Sequence, residues 1–269
     1  MATLMSIAEA VSTFVQDGDQ VALEGFTHLI PTAAGDAIIR AGRRELHLIK
    51  MTPDIVADRL IGAGCVRKLT FGWAGNAGVG ALHRFRDAFL NDWPRPLEID
   101  ENSHAGLVNR FLAGSCGLPF GVLRGYRGTD IPAHSDSIAD VVCPFTGETL
   151  TAVAALNPDV GIIHAQRADR AGNVQFWGIV GAQKEVVLAS RRSIVTVEEV
   201  VEHLDRRPGD LILPSWVVTA VAEVPGGAAP SYAAGYYERD NEAYRAWPEH
   251  SRTREAFTRW LDELLCDHR

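Results

Sequence analysis

The chain has 269 residues, 46% of them hydrophobic, and a formal charge of −8 with acidic and basic residues mixed along its length. That supplies a sizeable core for one large α/β domain or two small ones, and the acidic balance argues against nucleic acid, whose phosphates call for a basic face. No stretch approaches the ~20 apolar residues of a membrane span; MATLMSIAEAV lacks the basic start and long apolar core of a secretory leader; and Cys65, Cys116, Cys143 and Cys266 show neither CxxC nor zinc spacing. The expectation is a cytoplasmic protein with free thiols and no metal.

In chain order, Ser6 and Glu9 make an S-x-x-E capping box, and Ile7, Ala10, Val11, Phe14 and Val15 follow at helical spacing. A DGD turn leads into the strand VALEGF, and Pro31 opens the next helix through Ile38 and Ile39. LHLIKMT, VRKLTFGW and LEIDEN are predicted strands, separated by the helices PDIVADRLIGAG and LHRFRDAFLNDW and followed by the helix HAGLVNRFLAG. This alternation predicts a parallel sheet covered by helices. Beyond Gly117 the pattern changes: VVCPFTGETLTAV predicts a β-hairpin or β-arm, and VGIIHAQ a buried parallel strand. ADRAGNVQFWG predicts a turn into a further β segment, AQKEVVLAS a helix, SIVTVEEVV a strand, and DLILPSWVVTAVAEV a strand followed by a helix. PGGAAPSY is a loop. The tail from Arg239 to Arg269 is polar and helical, with Phe257, Trp260, Leu261 and Leu264 in one apolar stripe. No linker or repeat divides residues 1–269, so a single domain is expected.

Ligands of open parallel sheets gather at the carboxyl ends of the strands, and three loops there stand out. EGFTHLIP carries Glu24, a candidate acyl-transfer nucleophile from its position alone. GWAGNAGVG has glycines at 72, 75, 78 and 80, the context of a phosphate-cradling loop, yet it matches neither GxGxxG nor the P-loop. Glu98 and Asp100, about 20 positions on, would suit a ribose, so a dinucleotide loop, a plain tight turn and another kind of binding loop all stay open. IDENSHAG places Asp100 to His104 before a helix. Asn102 or Ser103 serves as the cap, which leaves His104 placed to donate a hydrogen bond into the crevice. There is no GxSxG elbow and no HExxH spacing. His28 and His164 lie at or near predicted strand ends; Arg167, Asp169 and Asn173 suit either a ligand or a charged turn.

These motifs together carry a resemblance. DGDQVALEGF with a proline five residues on, CPFTGE, HAQRADRAGNVQFWG and PGGAAPSY resemble the A subunit of family I CoA-transferases. GFTHLIP, MTPD, SHAG, GLPF, ALNPDV and GYYERDN resemble its glutaconate CoA-transferase type, 3-oxoadipate members above all. The likeness runs from about residue 6 to beyond 245. It implies an α/β fold with an open, mainly parallel sheet covered by helices and a β-arm excursion. It also implies an obligate B subunit, usually in an A2B2 assembly, and small carboxylic acids and acyl-CoA as substrates, with succinyl-CoA and 3-oxoadipate the favoured pair. No permanently bound cofactor is implied. The acyl-CoA is attacked by a glutamate of the B subunit, giving an anhydride and then a glutamyl-CoA thioester. Glu24, which replaces the first glycine of the family's Gly-Gly-Phe, is therefore not the nucleophile. Matching through LVNRFLAGSCGLP sets Ser103, His104 and Ala105 on a Pro-Gln-Gly of related 3-oxoacid enzymes, which makes His104 the oxyanion-hole donor. Gly25, Phe26, Thr27, His28, Asn76, Gly78 and Ser103 would line the acyl and thioester crevice. Histidine can also shuttle a proton, so a hydrolase or decarboxylase of the same fold is an alternative. A non-catalytic nucleotide or sugar-phosphate module built on GWAGNAGVG is a rival of another class.

Overall fold

The computed structural model describes residues 2–76, 79–205 and 207–266. Its amino-terminal half alternates as the sequence implies: β1 (Thr3–Leu4), α1 (Ile7–Phe14), β2 (Gln20–Glu24), α2 (Thr32–Arg40), β3 (Leu46–Ile49), α3 (Ile55–Gly62), β4 (Val66–Phe71), α4 (His83–Asn91), β5 (Glu98–Glu101) and α5 (His104–Ser115). Local chemistry sets the helix starts. Ser6 Oγ accepts from Glu9 N at 3.2 Å while the Glu9 carboxylate takes Ser6 N at 2.9 Å, the reciprocal box that satisfies two orphan donors. Asp54 caps α3 through Val56 N, and Ser103 caps α5 through Gly106 N.

The second half comprises β6 (Phe120–Leu123), β7 (Ile138–Val142), β8 (Thr149–Ala154), β9 (Val160–Asp169), β10 (Val174–Phe176), α6 (Gln183–Ala189), β11 (Arg192–Val201), β12 (Leu211–Leu213), β13 (Ala220–Glu223), α7 (Asn241–Ser251) and α8 (Arg254–Cys266). The main sheet runs β1-β13-β11-β9-β2-β3-β4-β5, every neighbouring pair parallel. β10 turns back antiparallel on β9 and pairs with β12. Strand alternation divides the core in two. Leu23, Leu48, Ile162 and Ile194 face Ile38, Leu60 and Ala88 of α2, α3 and α4. Their neighbours Ala22, Ile49, Ile163 and Val195 face Phe111 of α5 and Val186 of α6. Burial on both faces is why these strands are continuous apolar runs.

The expected β-arm is a separate three-stranded antiparallel sheet, β6-β8-β7. β6, in GLPFGVL, escapes sequence reading, since four residues of half-exposed character carry little pattern. The helix expected over WVVTAVAEV is replaced by one 3-10 turn, Ser215–Val217, and by β13. Ala220, Val221 and Ala222 are all fully buried, between β1 and β11. A short apolar run buried on both faces has no period to separate strand from helix, and two sheet neighbours decide it. In the tail, Phe257 is fully buried and Trp260, Leu261 and Leu264 pack against the core; Trp247 Nε1 donates to Asp58 at 2.8 Å. Among the described residues, no helix is long and apolar enough to cross a membrane.

Candidate active site

Parallel order puts the carboxyl ends of β2, β3, β4 and β5 along one edge, so the loops at 25–31, 50–54, 72–76 and 102–104 meet there. After β2 the chain turns sharply at Gly25: a Cβ there would lie 2.4 Å from Leu29 O and 2.7 Å from Ile30 Cα. Thr27 and Leu29 both take left-handed φ angles (56° and 53°), a conformation that non-glycine residues adopt only when their surroundings impose it. Those surroundings are visible. Leu29 N donates to Tyr232 O at 3.0 Å, and Ser231 Oγ donates to Thr27 O at 2.8 Å. His28, fully buried, receives a hydrogen bond at Nε2 from Ala234 N (2.9 Å) and offers Nδ1 to Ile179 O (2.9 Å). Because Nε2 accepts, the ring proton sits on Nδ1; burial lowers the imidazole pKa, which favours that neutral form. His28 therefore clamps the loop, with both nitrogens committed to backbone.

Glu24 ends β2 fully buried. Its Oε2 accepts from Met51 N at 3.0 Å, while Oε1 has no partner among the described residues. Burial raises its carboxyl pKa, against the pull of the buried Lys50 ammonium, which itself donates to Gly25 O at 3.3 Å. This pair lies beneath the Gly25–Phe26 turn and ties it to the segment following β3, so the acid shapes the floor of the site.

That segment presents Thr52, whose Oγ is 3.0 Å from His104 Nε2. His104 is the first residue of α5 and is solvent-exposed. Phe26 meets it edge-on, ring centroids 5.9 Å apart at 87°. Ser103 is the helix cap, and its own N–H donates to Tyr126 Oη at 2.8 Å; it orients the start of α5. Beside Thr52 lies a cavity of about 180 Å³ walled by Thr27, Thr52, Trp73, Asn76, Arg239 and Tyr244. The structure thus brings Gly25, Phe26, Thr27, Asn76 and Ser103 to the neighbourhood of His104. Gly78 lies outside the described residues.

Other expectations resolve differently. Asp100, the candidate ribose acid, is buried and committed to Arg110 (3.1 Å), Ser135 (2.7 Å) and Thr70 (3.1 Å). His164 is buried between Thr196 Oγ (2.8 Å) and Glu198 (2.6 Å), with Tyr237 Oη donating to the same carboxylate. Arg167 pairs with Glu199 and Tyr236, and Asp169 and Asn173 close their own turn. Sequence reasoning misses Thr52, Trp73, Arg239 and Tyr244 as site residues, although MTPD and GYYERDN stand at or beside three of them.

A profile of the coenzyme A transferase family matches residues 4–224. Over 265 residues the chain is 60% identical to the A subunit of 3-oxoadipate CoA-transferase from Pseudomonas knackmussii, covering 98% of this chain and 94% of that one. The crystal structure of glutaconate coenzyme A-transferase from Acidaminococcus fermentans superposes with a TM-score of 0.88 at 29% identity, covering 99% of this chain and 89% of that one. A variant of the decarboxylase AibA/AibB gives 0.83, also at 29% identity, covering 97% and 98%. A fold, a strand-edge site and a sequence match that agree over the same residues establish that the chain belongs to the coenzyme A transferase family, among its A subunits of the 3-oxoadipate and glutaconate type.

Proposed function

We propose that this chain is the A half of a heteromeric CoA-transferase that moves CoA between small dicarboxylic or 3-oxo acids, with succinyl-CoA and 3-oxoadipate the favoured pair, in the cytoplasm. The observation that carries the reading is His104, an exposed imidazole at the carboxyl edge of the sheet, held through Nε2 by Thr52. The 60% identical relative, a 3-oxoadipate CoA-transferase A subunit, supports 3-oxoadipate as the acid of that pair. In this scheme the acyl-CoA carbonyl is attacked by a glutamate of the B subunit, and negative charge develops on the carbonyl oxygen. The scheme uses the tautomer in which Thr52 Oγ, 3.0 Å from Nε2, is the donor of that hydrogen bond, which keeps the ring N–H on Nδ1 to hydrogen-bond that oxygen. A preorganised donor of this kind contributes about 3–4 kcal/mol to the transition state. Loss of CoA thiolate leaves an acyl-glutamyl anhydride; thiolate attack on the glutamyl carbonyl then gives the thioester and frees the acid. CoA and acyl-CoA come and go as substrates, and an A2B2 assembly completes the site.

A second reading rests on the decarboxylase likeness: the same scaffold with a B subunit lacking the glutamate would decarboxylate or hydrolyse an acyl-CoA. Co-expression with the B subunit, followed by CoA-exchange assays over a panel of dicarboxylates, separates the two. Exchange with at least one acid supports transfer; release of free acid or CO2 with no exchange rejects it.

A further inference from the structure

The cavity beside Thr52 has a chemistry of its own. At about 180 Å³ it is smaller than the ~300–1,000 Å³ of pockets that enclose drug-sized ligands, so it suits a short acyl group and excludes the body of a coenzyme. One wall is cationic. The Arg239 guanidinium lies 3.9 Å from the Tyr244 ring centroid, and its Nε donates to Asn241 Oδ1 at 3.0 Å. That leaves its two terminal nitrogens with no hydrogen-bond partner and no carboxylate in ion-pair range among the described residues. Stacking and the Nε bond fix the plane of the fork, which is the arrangement that receives a carboxylate through two parallel bonds. On the same cavity, Asn76 is 6% exposed and its Nδ2 is a buried donor without a partner among the described residues. A buried donor left unpaired is costly unless a ligand or water supplies the acceptor. Asp54 also lines the wall, but its Oδ1 is taken by Val56 N at 3.2 Å, at the positive end of α3.

We infer that this cavity is the acyl subsite, and that Arg239, assisted by Asn76, receives the carboxylate remote from the thioester of a dicarboxylic acyl group. The inference rests on the CoA-transfer reading above. Thr52 belongs both to the cavity and to the hydrogen bond with His104, so an acyl chain anchored on Arg239 extends toward the imidazole with its reacting carbonyl. Arg239 and Tyr244 lie beyond residues 4–224, the span of the family match. The discriminating charge is thus carried by a segment beyond the profile match, where selectivity can change without disturbing the donor at His104.

The test uses the assembled complex, with glutarate and butyrate as CoA acceptors, two acids alike in backbone that differ in the second carboxylate. Arg239→Gln is expected to lower the glutarate-over-butyrate ratio of kcat/KM by about 10–100-fold, the loss of one charge-assisted contact. Arg239→Lys should retain part of the ratio, and Asn76→Asp, nearly isosteric, should lower it by setting like charge against the acid. Thermal melts report whether each variant folds. A ratio unchanged in all three folded variants overturns the subsite. Absence of CoA exchange by the unsubstituted complex would instead reject the transfer reading. Calorimetric binding of glutarate then decides the subsite separately: weakening by Arg239→Gln supports it, and undiminished binding overturns it.

Discussion

His104 Nε2 and Thr52 Oγ are 3.0 Å apart, and in the proposed scheme the two side chains make separable contributions. Removing the imidazole in His104→Ala deletes the donor itself, so kcat of the assembled enzyme is expected to fall about 10²–10³-fold; His104→Gln, which keeps an N–H, should retain more of the rate. A fall of less than about threefold in His104→Ala would move the oxyanion donor elsewhere. Thr52→Val keeps the volume of the side chain but releases Nε2, and is expected to cost about tenfold in kcat, the worth of one ordinary hydrogen bond. Glu24 tests the opposite expectation. Gln can still accept from Met51 N, and it lies beneath the turn with one oxygen unpartnered. Glu24→Gln should therefore leave formation of the covalent intermediate within about threefold of the unsubstituted rate, less than the loss of a single hydrogen bond. Rapid-mixing measurement of free-acid release in the first turnover checks this, and abolition of that burst would restore Glu24 as a candidate nucleophile.

At the scale of elements, the junction of β4 with α5 is tight. A Cβ on Gly72 would lie 3.0 Å from both His104 Cδ2 and His104 N, so Gly72→Ala should displace the imidazole and lower kcat while the melting temperature changes little. A large loss of stability with normal kcat in the folded fraction would contradict it. One strand further in, His47 of β3 reaches across to β4, its Nε2 2.7 Å from Thr70 Oγ. Thr70 gives its proton to Asp100, so Nε2 is the donor to Thr70. Burial, followed by the Lys68 charge, lowers the His47 pKa from the ordinary 6.5 to about 4. The unfolded chain therefore binds the extra proton first. The stability His47 contributes is complete above about pH 6.5 and is lost as pH falls toward 4, and at about 1.36 kcal/mol per pH unit it is capped near ~3 kcal/mol. Urea midpoints measured from pH 7 to 4 should fall less steeply in His47→Gln; identical slopes would exclude His47. The parallel core of these elements was legible because burial on two faces writes continuous apolar runs, as in β9, and because Ser6 and Ser103 announce their helices. β13 was not legible: Ala220 to Ala222 are as compatible with a helix until β1 and β11 flank them. Nor was the cavity wall. Arg239 and Tyr244 reach Thr52 only because Phe257 and Trp247 seat the tail against α3, a tertiary convergence that spacing cannot encode.

Across the whole molecule, the site opens outward from one edge of the sheet. His104 and Thr27 are exposed, and Trp73 is 46% exposed although it is a large apolar side chain on the cavity shared with Thr52. Acyl transfer needs water excluded, or the anhydride and thioester would hydrolyse; in the proposed scheme a donor at His104 left this open lacks its second wall. The resemblance that places the nucleophilic glutamate on a B subunit supplies that wall and the missing reactant together. The chain purified alone is therefore expected to show no CoA exchange, and titration with the B subunit should restore it in proportion to complex formed. Incubating the complex with acyl-CoA and then borohydride converts a glutamyl thioester to the alcohol, and the modified peptide should come from the B subunit. Exchange by the isolated chain, or a reduced glutamate within it, would show that this chain holds a complete reaction centre and that the open edge is not half of a shared one.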